Sequence, residues 1–139
     1  MKFEDFIKEG KARKTSKDIQ LFKSIINTSE QDLKFLDTLK ITENSARKLM
    51  ISYYDTLRSF LEAIVILKGY KIYFHEAYTY FLKQENENLL SEKFDRFRKI
   101  RNDINYYGKN ISIAEMVENK QKIIEIIKEL KQKFNLNVD

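Results

Sequence analysis

The feature that rules out most folds is the near absence of chain breakers. In 139 residues there is no proline, and the only glycines are Gly10, Gly69 and Gly108. Sheets built on tight turns draw heavily on both residues. What remains is rich in lysine, glutamate, leucine and isoleucine, a composition that suits long helices. The length favours one domain, residues 1–139, able to bury a core without covalent staples. The expected fold is therefore all-α: an up-and-down bundle of about four to five helices with short connections and largely antiparallel neighbours.

Several function classes drop out early. There is no cysteine, hence no disulfide framework and no thiolate zinc site. The single histidine, His75, leaves little for a histidine-based metal site, and there is neither a glycine-rich phosphate loop nor a paired-carboxylate metal motif. No metal or other cofactor is expected. The longest apolar run, "FLEAIVILKGY", is far too short to span a bilayer. The opening "MKFEDFIKEGKARK" mixes acids and bases without an apolar signal core. A soluble, cytoplasmic protein with no membrane partner is the expectation. A net charge of +5 permits an acidic partner such as nucleic acid without demanding one.

The periodicity orders the chain as follows. Residues 1–14 read as a short charged segment, helical or frayed. A helix from about Ser16 to Leu39 has apolar spacing through Ile19, Phe22, Ile26, Leu33 and Leu36. "ITEN" breaks it, with Thr42 or Asn44 as candidate N-cap. The next helix, about 44–68, has the wide stripe of a central bundle element: Leu49, Met50, Tyr53, Leu57, Phe60, Leu61, Ile64 and Val65, closed by Gly69. A shorter helix follows over about His75–Gln84, with Tyr78, Phe81 and Leu82 inward. Ser91 is expected to cap a helix running to Tyr107, stopped by Gly108. Ser112 and Glu115 form a capping box that opens the last helix, to about Phe134.

The penultimate helix contains an anomaly. At about 100° per residue, Phe94, Phe97, Ile100 and Ile104 form one apolar stripe, and Arg101 falls on it. Arg98 and Asn105 lie along one margin, whereas Lys99 and Asp103 face away. A guanidinium in such a place requires a carboxylate, a carbonyl or a ligand phosphate. The bland solution is an arginine that snorkels out, or one paired with a bundle acid. Asp55 and Glu62, on one face of the central helix, are the candidate acids.

The stretch "RKIRNDINYYGKN" resembles the motif helix of HEPN domains, small helical proteins often found beside minimal nucleotidyltransferases. The upstream "ARKLMISYYDTLRSFLEAIVILKGYKIYFHEAYTYFL" is similar too, so the resemblance covers about residues 44–133. Active members carry an arginine, often followed by a polar residue, then a histidine after four to six intervening positions. Arg101 and Asn102 match the start; Tyr106, Tyr107 and Gly108 occupy the positions where the histidine would stand. In active relatives the resemblance implies metal-independent RNA cleavage, with the motif gathered at a dimer interface. Arg101 can still hold a phosphate. A tyrosine, with an unperturbed pKa of about 10, is a poor general base at neutral pH but can donate a hydrogen bond or stack on a base.

The expected function is accordingly a dimeric HEPN-like module that binds RNA or a nucleotide without efficient catalysis. Its binding residues would be Arg98, Arg101, Asn102, Asn105, Tyr106 and Tyr107. The resemblance also implies a possible nucleotidyltransferase partner. The first alternative is a toxin-type, metal-independent ribonuclease with Arg101 and Tyr106 as catalytic candidates and His75 as a displaced base. The second is a structural subunit. Tyr70, Tyr73, Phe74, Tyr78 and Tyr80 offer either a stacking platform or a loop and helix packed onto the bundle. Lys11, Arg13, Lys14 and Lys17 form a basic cluster that either touches phosphates or is simply solvated.

Overall fold

The axis of the molecule is the helix that the periodicity marks most strongly, Ala46–Leu67, here α3. Tyr53, Tyr54, Leu57, Phe60, Leu61, Ile64 and Val65 are buried on almost every side of it. A helix apolar over so wide an arc must be covered by several neighbours. Each large side chain taken out of water contributes about 1.5–3 kcal/mol before entropy is counted. The neighbours are α2 (Ile19–Asp37), α5 (Asn88–Tyr107) and α6 (Ile113–Lys133), while α4 (Glu76–Gln84) packs on α5 and α1 (Phe3–Lys8) packs on α4. The structure, a computed structural model, describes residues 1–136. It is an all-α helical bundle of six helices with one small sheet, and one cluster of buried residues runs from Phe3 to Leu136. Residues 137–139 of the expected domain lie outside the described residues. Among the described residues, no helix is long and apolar enough to cross a membrane.

The N-terminal segment, read from the sequence as helical or frayed, is helical over Phe3–Lys8. Phe3 and Phe6, on α1, are buried, and Phe3 packs edge-on against Tyr70 and Phe81. After α1 the chain forms a three-residue strand, β1 (Ala12–Lys14), antiparallel to β2 (Tyr70–Ile72), pairing Ala12 with Ile72 and Lys14 with Tyr70. Neither strand is long enough to show an alternating pattern, so tertiary pairing and not local periodicity creates them.

Three expectations are corrected. Ile19 is 58% exposed and lies outside the core. Ser91 caps nothing: α5 begins at Asn88, and the buried Ser91 hydroxyl donates to the Asn88 carbonyl at 2.6 Å. At the start of α3 the N-cap is Ser45, although Thr42 contributes by accepting from the Ser45 and Ala46 backbone amides through Oγ1 and its carbonyl, at 3.1 and 2.9 Å. The Ser112 cap is present, with Oγ accepting from the Glu115 amide at 3.1 Å. Gly108 closes α5 in the left-handed region, at φ 63°.

Candidate functional site

Gly69, at φ 87°, ends α3 and turns the chain into β2. Its carbonyl accepts from the Thr15 amide at 2.9 Å, and the Lys11 carbonyl accepts from the Tyr73 amide at 2.9 Å. These bonds hold the first strand and the segment before α4 together as one wall. The facing wall is the last three turns of α5. Between them lies a cleft of about 410 Å³, lined by Phe6, Lys11, Tyr73 and Phe74 on one side and by Arg98, Arg101, Asn102 and Tyr106 on the other, with His75 and Glu76 at the start of α4.

Arg101 is the least satisfied group in it. Its Nε is buried without a partner, and Nη1 makes only a long 3.4 Å contact to Asn102 Oδ1. The guanidinium carbon stands 5.9 Å from the centre of the Tyr54 ring, within cation–π range. Among the described residues Arg101 has no ion pair. Glu62 is taken by Arg58, at 3.2 Å. Asp55 is half-buried, and its burial raises the carboxyl pKa despite the attraction of Arg101 and Arg58. Neither acid makes an ion pair with Arg101.

Arg98 is held differently. Asp95 accepts from its Nε at 2.9 Å and from Nη2 at 2.8 Å, while also accepting from Thr79 Oγ1 at 3.1 Å and pairing with Lys99 at 3.0 Å. Burial works against the Asp95 charge, but these donors outweigh it and lower the pKa. Arg98 thus contributes charge to the cleft, while Asp95, through Thr79, fastens α5 to α4.

His75 does reach the cleft. Its Nδ1 lies 3.1 Å from the hydroxyl of fully buried Tyr54, which leaves Nε2 as the nitrogen available to a ligand. Burial first, then the charges of Arg58, Arg101 and Arg98, lower its pKa to about 4, so the ring is neutral at physiological pH. In the tautomer where Tyr54 donates, Nε2 is a hydrogen-bond donor; in the other it is an acceptor.

The remaining sequence candidates separate. Tyr106 lines the cleft and is 72% exposed, whereas Tyr107 and Asn105 are exposed without lining it. Tyr70, Tyr78 and Tyr80 are packing residues, against Phe3, Phe94 and Phe6 respectively. Tyr73 and Phe74 are about half exposed and border the cleft. Of the basic cluster, Lys11 lies over the Phe74 ring and pairs with Glu9, and Arg13 Nε donates to the Tyr73 hydroxyl at 2.7 Å. Lys14 and Lys17 are exposed away from the cleft. Sequence reasoning missed Glu76 and Phe6 as lining residues and Tyr54 as the partner of His75. No spacing rule links these positions; they come from α4, α1 and α3 and meet only through tertiary packing. Comparison with family models, with curated proteins and with solved structures finds no match to this chain.

Proposed function

We propose that this chain is a HEPN-like module that binds single-stranded RNA or a nucleotide in the cleft beside α5, as a cytoplasmic homodimer and without efficient catalysis. A nucleotidyltransferase is the proposed partner protein. The observation that carries the reading is the buried, unpartnered Nε of Arg101 on the cleft wall. A buried guanidinium N–H without an acceptor is costly, and a ligand phosphate beside it is a group that lowers the cost. Lys11 and Arg98 add positive charge, and the exposed rings of Tyr73, Phe74 and Tyr106 add stacking surface for unpaired bases.

The test is titration of a labelled single-stranded RNA into wild type, Arg101→Lys and Arg101→Ala over a salt series. The expected result is a loss of about tenfold or more for Arg101→Ala and a shallower salt dependence, by about one ion released. Equal affinity for wild type and Arg101→Ala removes the cleft from the reading.

One observation favours the ribonuclease alternative: His75 shares the cleft with Arg101 and Tyr106. A neutral imidazole accepts a proton, but with a pKa of about 4 it is a weak base for a 2′-hydroxyl. Cleavage under this alternative is slow and indifferent to EDTA. Robust cleavage lost in His75→Ala makes His75 the displaced base, and robust cleavage lost in Tyr106→Phe favours a tyrosine-based site. Loss of cleavage with EDTA alone points to metal chemistry instead.

A further inference from the structure

Resting on the nucleotide-binding reading, we infer that the cleft selects guanine and that Glu76 is the residue that reads it. The cleft brings three cations, Lys11, Arg98 and Arg101, together with one acid, Glu76. An acid is out of place in a site that only gathers phosphates, because it repels them. Glu76 is exposed and takes part in none of the ion pairs among the described residues, so it is not there to neutralise a neighbour. Arg98 already has Asp95 and Lys11 has Glu9, which leaves the carboxylate free to accept from a ligand.

An ionised carboxylate only accepts hydrogen bonds, through two oxygens side by side. Among the four bases, guanine alone presents two adjacent donors to match it, the ring N1–H and the exocyclic N2–H. Adenine and cytosine each place a ring-nitrogen acceptor beside their amino group. Uracil flanks its one N–H with two carbonyl oxygens. Each of these three therefore sets a lone pair against the carboxylate where guanine offers a second bond. Phosphate at Arg101 and base edge at Glu76 would divide the ligand between cation and acid, and Tyr73, Phe74 and Tyr106 add exposed ring surface to the same cleft. The volume of about 410 Å³ lies within the usual range for small-ligand pockets, about 300–1,000 Å³. The competing account is structural. Glu76 is the first residue of α4, where an acid interacts favourably with the helix dipole. That account predicts an effect on stability and none on base choice.

The experiment is calorimetric titration of the 5′-monophosphates of guanosine, adenosine, cytidine and uridine into wild type, Glu76→Gln and Arg101→Ala, with thermal unfolding of each variant alongside. Guanosine monophosphate is expected to bind about five- to a hundredfold tighter than the others, the range over which a good bidentate pair discriminates. Glu76→Gln abolishes the preference and leaves the affinity for adenosine monophosphate equal or higher. Arg101→Ala weakens all four alike. Equal affinities for the four nucleotides, all reduced by Arg101→Ala, overturn the guanine assignment while leaving the cleft as the nucleotide site. A guanine preference that survives in Glu76→Gln also overturns it. Binding that Arg101→Ala leaves untouched, or no binding at all, overturns the nucleotide reading itself.

Discussion

The Tyr54 hydroxyl and His75 Nδ1 lie 3.1 Å apart, joining the middle of the central helix to the residue that opens α4. Both groups are neutral for the same reason. Burial pushes the Tyr54 phenol up and the His75 imidazole down, and the arginines beside them reinforce the second shift while opposing the first.

His75 is the only histidine, so its ring signals are unambiguous in a proton NMR titration. The midpoint is expected near 4, well below the unperturbed 6.5. The consequence for stability has a definite sign. Above pH 6.5 neither the folded nor the unfolded chain protonates this ring, and stability is full. Between that value and about 4 the unfolded chain takes up a proton that the folded chain refuses, so stability falls as the pH is lowered. Urea midpoints at pH 7 and pH 5 should differ in wild type and differ less in His75→Gln. An unperturbed titration midpoint would mean that the ring faces bulk solvent.

Asp95→Ala should destabilise the fold by about 1–3 kcal/mol, because it leaves Arg98 and Thr79 without their shared acceptor. Asp95→Asn, which keeps one carbonyl oxygen, should fall between the two. Urea unfolding measures both. The lowered Asp95 pKa adds a separate acid sensitivity: the stabilisation is present above the unfolded value of about 3.8 and is lost as the pH falls through the lower folded value.

Gly69→Ala should cost more than Gly108→Ala. Both positions have positive φ, 87° and 63°, which strains any side chain. At Gly108 an added Cβ meets nothing within 4 Å, whereas at Gly69 it comes to 3.3 Å from the Thr15 carbonyl oxygen. About 1 kcal/mol is expected at Gly108 and about 1–2 kcal/mol at Gly69. Hydrogen exchange of the Thr15 amide, which bonds Gly69, should quicken only in the second case. Equal costs would mean that the Thr15 segment yields freely.

The proposed homodimer is testable by light scattering at micromolar concentration, where the mass should be twice the 16.7 kDa chain. Tyr107 is 82% exposed at the end of α5 and lies outside the cleft, a ring of the kind that interfaces cover. Tyr107→Glu should shift the mass towards the monomer without lowering helix content. A clean wild-type monomer would remove the dimer from the proposed function.

Local chemistry made the longer helices legible, because their apolar residues recur every three or four positions. The stripe from Leu49 to Val65, the Ser112–Glu115 cap and the stop at Gly108 are all present as the sequence implied. The misplacement of Arg101 on an apolar stripe was legible for the same reason: helix geometry fixes which residues share a face. What meets that face is a separate matter. Pairing of Ala12–Lys14 with Tyr70–Ile72 joins segments far apart in sequence through strands of three residues, too short to leave a period. That pairing ties Lys11 to Tyr73 on the wall opposite α5; Asn102 and not Asn105 lines the cleft there, and His75 turns one nitrogen to Tyr54. The burial that neutralises His75 and strands Arg101 Nε comes from the same long-range packing, which no single helix carries in its own sequence.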